Sequence, residues 1–308
     1  MTASAPGTPP PAIKAVPLRR PGRWISAVVL LALFGLFCWG AATNKAFDWS
    51  TYGKYLFDQR ISAAAVVTIE LTVIAMIAAI VLGVLLAVMR RSENVVLRGL
   101  SWLYLWFFRG TPIYVQLVFW GLITVIYKHI DIGIPWGPTF ATIDVQRYGS
   151  PFVFACIGLA LNEAAYMAEI VRAGINSVDE GQTEAAEALG MTWGQTMRRI
   201  VLPQAMRVII PPSGNEVISM LKTTSLVVAV PYSGDLYAKA RDIAIPLFRP
   251  IPLLLVAATW YLVITSVLMV GQYFLERHYS RGSSRTQART TVALVAGAPT
   301  QSHGGGAG

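Results

Sequence analysis

Residues 179–203 read DEGQTEAAEALGMTWGQTMRRIVLP, a polar and helix-prone stretch between long apolar segments. Asp179 and Thr192 are each followed three residues later by glutamine, the pattern of a capping box at the start of a helix. Gly190 stands where the first helix should stop, because glycine enters the left-handed conformation at little cost. The stretch therefore predicts two short helices joined by a turn, a helix-turn-helix outside the apolar segments.

The sequence leads to two further expectations for this helix-turn-helix. Leu202 precedes Pro203, and a residue before proline is biased away from helical angles, so the second helix is predicted to end there. The small side chains of Ala185 and Ala186 are expected at an exposed tip of the first helix. Such a tip would let the surface of another protein approach the backbone closely.

The composition is that of a polytopic membrane protein. Of 308 residues, 55% are hydrophobic and only 13% are charged, about half the charged fraction of a soluble domain. The net charge of +9 does not indicate nucleic-acid binding, because the basic residues flank apolar segments instead of clustering on a soluble domain. Cys38 and Cys156 both lie in apolar runs, so core packing is expected for them and no disulfide framework.

Six segments are apolar and long enough to be predicted as membrane helices. They cover residues 24–42, 61–88, 100–127, 151–171, 209–230 and 251–274. The domain boundaries that follow are a disordered tail at 1–22, a first transmembrane helix at 23–43, a transmembrane domain at 55–279 and a disordered tail at 280–308. A cleaved signal peptide is the alternative for the first segment, but its length and basic flank favour a retained helix.

The distribution of basic residues predicts the orientation of the chain. With both termini in the cytoplasm, 15 of the 25 Lys and Arg residues lie on the inner side and 8 on the outer side. Lys and Arg are enriched in cytoplasmic loops of membrane proteins. Residues 179–203 are therefore expected in the cytoplasm, in a multi-pass protein of the cell membrane.

The same stretch resembles a known family motif, the EAA loop of permease subunits of bacterial ATP-binding-cassette (ABC) importers. The matching positions are Glu184, Ala185, Ala186, Gly190, Ile200, Leu202 and Pro203. The resemblance implies that residues 179–203 couple the chain to a separate cytoplasmic ATPase. Ala185 and Ala186 would then seat the first helix in a groove of the ATPase, with a polar contact from Glu184. Ile200 and Leu202 would pack the second helix against the membrane core.

Further motifs are similar to those of the polar amino-acid permeases of this class, the histidine and glutamine permease family. They are FRGTP at 108–112, AYMAEIVR at 165–172, LPQA at 202–205, IPP at 210–212, GN at 214–215 and LKTTSL at 221–226. The resemblance covers about residues 55–280. Thr223 is a departure, because many relatives have an acidic residue at that position and threonine carries no charge.

This family resemblance implies both a fold and a set of partners. The expected fold is an all-α membrane protein of the MetI-like, type I ABC importer class, with six transmembrane helices and a cytoplasmic coupling helix-turn-helix. The expected partners are a pair of ABC ATPases, a second permease subunit, an extracytoplasmic solute-binding protein and an amino-acid substrate. Whether the permease pair is a homodimer or a heterodimer stays open, as does the identity of the amino acid.

The sequence predicts a transport subunit and not an enzyme. It contains no phosphate-binding loop of the form GxxxxGK[ST], and no metal-ligand cluster or nucleophile with a nearby base can be identified. No cofactor is therefore expected in this chain, and ATP would be bound by the partner ATPase. Two alternatives are an ion-coupled secondary transporter, although paired halves with broken helices are not evident, and a membrane scaffold or sensor without transport activity.

Polar side chains inside the predicted spans are the candidates for a substrate path, because charge at bilayer depth is costly and usually faces a bundle interior or a cavity. They are Glu70, Asn162, Glu163, Glu216 and Lys222. Glu163 would accept the ammonium group of an amino acid and Lys222 would attract its carboxylate. The alternative is that Lys222 simply neutralises Glu163 or Glu216 within the bundle.

Two further features complete these expectations. Arg109 and Glu169 lie nearer the ends of their spans and are expected to reach lipid headgroups or one another. Pro211 and Pro212 are expected to interrupt the start of the fifth span, because proline removes a backbone donor and kinks a helix. The interruption would either line a cavity or be a static bend at the membrane surface.

Overall fold

The computed structural model describes residues 21–134 and 137–279. Residues 1–20, most of the predicted N-terminal tail, and the predicted tail at 280–308 lie outside the described residues. Contacts divide the chain into two units after Asp48. The first unit holds helix α1 (Pro21–Thr43) and a short 3-10 helix at Lys45–Phe47, which is capped by the side chain of Asn44.

The second unit is a helical bundle that begins at Trp49. Its α-helices are α2 (Trp49–Leu56), α3 (Gln59–Arg90), α4 (Val95–Gly110), α5 (Ile113–Gly121), α6 (Ile123–Ile126), α7 (Val145–Tyr148), α8 (Pro151–Asn176), α9 (Glu180–Ala188), α10 (Trp193–Thr196), α11 (Leu202–Thr223), α12 (Leu236–Leu247) and α13 (Pro250–Tyr279). A π-helix at Met197–Val201 joins α10 to α11, and a 3-10 helix at Thr224–Ala229 follows α11.

A small antiparallel hairpin lies between α6 and α7. Its strands are β1 (His129–Gly133) and β2 (Thr139–Asp144), with Ile130 opposite Ile143. The sequence was predicted to be wholly helical, and this hairpin is a difference from that expectation. The signal for it was the alternation of isoleucine with other residues from 130 to 134, which is the period of a strand.

Four helices among the described residues are long and apolar enough to cross a membrane. They cover Gly22–Thr43, Gln59–Arg90, Pro151–Asn176 and Pro250–Tyr279, and they correspond to the first, second, fourth and sixth predicted spans. The fifth predicted span, residues 209–230, lies in the more polar helix α11 and the 3-10 helix after it. The third, residues 100–127, is not one continuous helix.

The predicted third span is divided because of Pro112. Helix α4 ends at Gly110, Thr111 and Pro112 have extended backbone angles, and α5 starts at Ile113. Proline disfavours helical angles in the residue before it and has no N–H to donate. The prediction of an uninterrupted helix over residues 100–127 is therefore wrong.

The chain stays helical at the other prolines, where the sequence predicted a helix end or an interruption. Leu202 has helical angles, and the chain passes from the π-helix into α11 without a break at Pro203, so the predicted helix end at Leu202 is wrong. In the π-helix each N–H donates to the carbonyl five residues earlier instead of four, so the hydrogen-bond register changes just before Pro203.

Helix α11 also continues through Pro211 and Pro212, so the predicted interruption there is not seen. Side chains supply hydrogen bonds beside these prolines. The Ser213 hydroxyl donates to the Ile209 carbonyl (2.8 Å), and Gln272 Nε2 of α13 donates to the Pro211 carbonyl (2.7 Å). Serine side chains and neighbouring helices are the usual means by which membrane helices tolerate proline.

The main core of the bundle lies between α3 and α8. Leu71, Ala75 and Ala79 of α3 and Leu159 of α8 are buried there with little or no exposed surface. The two helices approach closely at Gly83, where an added Cβ would lie 2.6 Å from the Cβ of Met167. That contact is between two rigid positions, so the close approach depends on glycine.

We expect Gly83→Ala to lower the free energy of unfolding by about 1–3 kcal/mol, because overpacking this contact forces the helices apart. The measurement is the midpoint of thermal unfolding in detergent. Gly271→Ala in α13 is the matched control, since an added Cβ there meets nothing within 4 Å. Equal midpoints for the two variants would contradict the requirement for glycine at position 83.

Candidate functional site

The predicted helix-turn-helix is present, and its turn is held by backbone hydrogen bonds. Gly190 has a φ of 74°, as predicted for a left-handed turn residue. The Gly190 N–H donates to the Glu187 carbonyl (2.9 Å) and the Met191 N–H donates to the Ala186 carbonyl (3.0 Å). These two bonds form a Schellman motif, which ends α9 and turns the chain towards α10.

The two predicted capping boxes differ in outcome. At α10 the box is complete, and the Thr192 N–H donates to Gln195 Oε1 (3.0 Å). At α9 the Asp179 side chain accepts from the Gly181 N–H (2.9 Å). Gln182 instead accepts a hydrogen bond from Gln204 Nε2 (3.4 Å), which links the first turn of α9 to α11.

The exposed surface of the turn differs from the predicted tip. Ala185 and Glu184 are exposed, but the Ala186 side chain is only 1% exposed, so the expectation that it lies on an open tip is wrong. Ala186 is on the side of α9 that faces the returning chain. Leu189, which was not singled out from the sequence, is 82% exposed at the end of α9. The sequence feature that could have identified Leu189 is its position as an apolar residue directly before Gly190, which ends the helix.

A small apolar cluster attaches the returning chain to the end of the bundle. Its buried members are Ala87 of α3, Val171 and Ile175 of α8, Val201 of the π-helix, and Ala205 and Ile209 of α11. Val201 therefore makes the contact that was expected of Ile200 and Leu202. Leu202 is 38% exposed and Ile200 is half-buried. The difference arises because the π turn alters which residues face the bundle.

A polar cluster surrounds the break between α4 and α5. Asn162 Nδ2 donates to the Phe108 carbonyl (3.0 Å) and to Gln116 Oε1 (3.1 Å). Gln116 Nε2 donates to the carbonyls of Phe108 (3.0 Å) and Thr111 (3.1 Å) and to Thr111 Oγ1 (2.7 Å). Both amide side chains are buried. We refer to Asn162, Gln116, Phe108 and Thr111 as the amide clasp.

The amide clasp changes the interpretation of one predicted path residue. The Asn162 amide is engaged in tying α8 to the broken helix, which is a structural contact. Gln116 was not singled out from the sequence, although it is a polar residue four positions after the proline of the break. A polar residue that close to an interrupted membrane helix could have been identified as a partner for the freed carbonyl groups.

Glu163 lies beside the clasp on α8 and is 7% exposed. Its Oε1 atom is buried and has no hydrogen-bond partner among the described residues. The carboxyl group faces that of Glu216, a half-buried residue of α11. Two predicted path residues are thus brought together between α8 and α11.

Lys222 is separated from these two carboxyl groups. It lies six residues after Glu216 on the same helix, about 240° around the axis. It is exposed and lines a different cavity of about 450 Å³, between α11 and α13, with Ser219 and Glu276. Within the described part of the chain Lys222 forms no ion pair, so the expected pairing with Glu163 or Glu216 is not seen.

The remaining charged residues that were predicted to lie in spans are found at different faces. Glu70 is exposed on α3, beside the exposed residues Ile69 and Val73. Arg109 Nη1 and Glu169 Oε1 are 3.5 Å apart, so the expectation that these residues reach one another is confirmed. Glu169 also accepts hydrogen bonds from Arg172.

A buried carboxyl group outside the predicted spans was missed. Asp235 is fully buried at the start of α12 and accepts from the N–H groups of Tyr237 (3.0 Å) and Ala238 (3.2 Å). Burial raises the pKa of this carboxyl to about 6. The next residue, Leu236, donates its N–H to Thr68 Oγ1 (2.9 Å), which fixes the start of α12 against α3.

These features define a membrane bundle with a helix-turn-helix at one end and a polar site inside. Residues 79–281 match the family of inner membrane components of binding-protein-dependent transport systems. The match covers more than half of the chain, which belongs to this family of ABC importer permeases. The predictions of a membrane permease and of its family are confirmed.

Individual relatives carry the similarity further. The chain is 60% identical over 290 residues to the arginine transport system permease protein ArgU of Corynebacterium glutamicum, which covers 94% of this chain and 90% of that protein. It is 41% identical over 187 residues to the L-cystine transport system permease protein TcyL of Bacillus subtilis, which covers 61% of this chain and 73% of that protein.

Two solved structures are similar in fold. A crystal structure of an amino acid ABC transporter with histidines superimposes with a TM-score of 0.59 at 32% identity, over 71% of this chain and 94% of that chain. An inward-facing MetNI methionine ABC transporter superimposes with a TM-score of 0.55 at 16% identity, over 71% of this chain and 95% of that chain. The predicted MetI-like fold is confirmed.

We expect Asn162→Ala to lower the free energy of unfolding by about 1–3 kcal/mol, because it leaves buried acceptors of the amide clasp without a donor. Thermal unfolding in detergent measures the change. Asn215→Ala, at an exposed position of α11, is the control and should change stability by less than about 0.5 kcal/mol. If Asn162→Ala unfolded at the same temperature as Asn215→Ala and the wild type, the amide clasp would not stabilise the break.

Proposed function

We propose that this chain is the permease subunit of an ABC importer that moves polar amino acids, cationic ones in particular, across the cytoplasmic membrane. The observation that carries the substrate class is the buried carboxyl group of Glu163, which has no ion-pair partner among the described residues. The relative with 60% identity is named for arginine transport, which agrees with a cationic substrate. A separate ATPase would supply the energy, since the sequence has no GxxxxGK[ST] loop.

The helix-turn-helix is the proposed contact with that ATPase. The bias in Lys and Arg supports a cytoplasmic position for residues 179–203 and for both termini. Glu184, Ala185 and Leu189 are exposed around Gly190 and would contact the ATPase. Ala186 would act inside the helix-turn-helix, by allowing α9 to pack closely against the returning chain.

The proposed route for the motion runs through continuous helix. The chain passes from α10 through the π-helix into α11 without a non-helical residue, and α11 carries Glu216. The apolar cluster around Val201 holds the base of this route against α3 and α8. A displacement of the turn would therefore move α11 relative to Glu163, and alternating access to the path would result.

We expect Leu189→Asp to lower the amount of ATPase that co-purifies with the permease by at least about tenfold. The substitution replaces an exposed apolar contact with a charge that the interface would leave unpaired. The measurement is the ratio of ATPase to permease after co-purification in detergent. Leu189 is exposed, so the substitution should not disturb folding.

Gly194→Asp is the matched control for this experiment. It adds the same charge to the second helix of the same motif, at an exposed position where an added Cβ meets nothing within 4 Å. Ala186→Asp is unsuitable, because a charge at that buried position would disrupt the motif itself. Equal retention of the ATPase by wild type and Leu189→Asp would place the docking site elsewhere.

The proposed substrate path passes Glu163. Its Oε1 atom is buried and has no partner among the described residues, so a ligand donor would reach it once α8 and α11 move apart, and Glu216 would add a second acceptor from α11. A carboxylate at this depth without a cationic partner would be costly unless a ligand or water compensates it. Lys222 lines another cavity, between α11 and α13. It would attract the substrate carboxylate only after a rearrangement of α11.

We expect Glu163→Gln to reduce ATP-driven uptake of arginine into proteoliposomes by roughly tenfold or more, because a charge-assisted hydrogen bond to the substrate is lost. Glu93→Gln, the same change at an exposed position in the loop before α4, should leave uptake unchanged. Co-purification of the ATPase by both variants would separate a defect in the path from a defect in coupling. Wild-type uptake by Glu163→Gln would refute the substrate assignment.

A second permease subunit is proposed to cover the face of α3 that carries Glu70. This carboxylate lies about 17 Å along the helix from its start, yet it is exposed beside Ile69, Val73 and Ile77. A charge at that depth is expected to face protein or a cavity and not lipid. The second subunit would be a copy of this chain or a related permease, and a solute-binding protein would deliver the substrate from outside.

A further inference from the structure

A cavity of about 400 Å³ lies between α3, α4 and α8. The side chains that line it include Arg90, Trp102, Trp106, Arg109, Tyr166 and Glu169. It lies near the end of the bundle that carries the helix-turn-helix, because Arg91, next to Arg90, donates a hydrogen bond to Asn176 at the end of α8. Glu169 is seven residues before that end, about 10 Å along the helix.

The cavity carries an excess of positive charge. Glu169 is its acidic side chain, and both of its oxygens already face guanidinium groups, Arg109 at 3.5 Å and Arg172 at 2.6 Å. Arg90 is the second guanidinium group that lines the cavity, and its Nη1 atom is buried and has no hydrogen-bond partner among the described residues. A buried donor without a partner is costly, so an anion bound by the Arg90 guanidinium would stabilise it.

Aromatic rings border the cavity. The indole rings of Trp102 and Trp106 are stacked with their centroids 6.3 Å apart, and both are more than half exposed. The Arg109 guanidinium lies over the Tyr166 ring at 5.8 Å. Tryptophan side chains are enriched at the depth of lipid headgroups, where the ring is amphipathic. Exposed Leu103 and Phe107 continue the apolar surface of α4 beside the indoles.

We propose that this cavity binds the phosphate group of an anionic phospholipid. Guanidinium groups bind phosphate through paired charge-assisted hydrogen bonds. Basic pockets between membrane helices bind acidic headgroups. The Arg90 guanidinium donates to a phosphate oxygen, Arg109 adds a second positive charge in the cavity, and the lipid chains lie along the exposed face of α4. The bound headgroup joins α3, α4 and α8 beside the base of the helix-turn-helix.

The test uses the complete transporter, delipidated in detergent and titrated with phosphatidylglycerol. Native mass spectrometry counts the bound lipid. We expect Arg90→Gln to weaken retention by about fivefold, the value for loss of one basic contact. Arg90→Lys keeps the charge and should retain most of the binding. Arg277→Gln, an exposed arginine in the last turn of α13, should bind as the wild type does.

Two further arms identify the ligand. Phosphatidylcholine, which carries no net charge, should be retained less than phosphatidylglycerol. Inorganic phosphate alone should raise the melting temperature less than phosphatidylglycerol does, and an equal rise would mean that the ligand is a free anion. Unchanged lipid retention by Arg90→Gln, in a variant that melts and elutes as the wild type does, would overturn the site.

Discussion

The structure depends on one constraint, that an interrupted helix inside a membrane bundle must find hydrogen-bond partners for its backbone. Pro112 has no N–H to donate, so the carbonyl groups of Phe108 and Thr111 at the break take their donors from side chains. The amide clasp supplies them from Asn162 and Gln116. Because Asn162 belongs to α8, the same bonds that satisfy the break also hold α5 and α4 against the central helix.

The clasp also determines the surroundings of the proposed path. Glu163 follows Asn162 directly on α8, so its buried carboxyl group lies beside the residue that fixes the broken helix. On the opposite side, α11 is continuous with the helix-turn-helix through the π-helix. Glu163 therefore lies on α8, which the amide clasp holds to the broken helix, and Glu216 lies on α11, which is joined to the helix-turn-helix. That arrangement suits a site whose geometry changes when one element moves.

Features that depend on local sequence were predicted well. Gly190 in a left-handed turn and the capping box of Thr192 and Gln195 follow from backbone and side-chain chemistry within a few residues. The family motifs also identified a MetI-like permease correctly. Local rules failed at Pro203, Pro211 and Pro212, because whether a proline interrupts a membrane helix depends on the donors that its neighbours supply. Pro112 breaks its helix, whereas Pro211 lies within one.

Burial could not be predicted in the same way. Membrane helices are apolar on most of their surface, so periodicity does not reveal which face meets the bundle. Ala186 and Leu189 lie three residues apart with opposite exposure, and only the path of the returning chain decides between them. Lys222 was assigned to the path from its depth alone. Its angular position on α11, which places it towards α13, could be read only after the packing partners of that helix were known.

The absence of a joint between the helix-turn-helix and α11 has a mechanical consequence. A stiff rod of 22 residues is about 33 Å long, so tilting it by about 10° about one end displaces the other end by roughly 6 Å. A movement of that size exceeds the width of a water molecule. A small rotation of α11 at the turn would then produce a larger displacement at its far end. The helix would pivot about Val201, Ala205 and Ile209, which pack against the bundle.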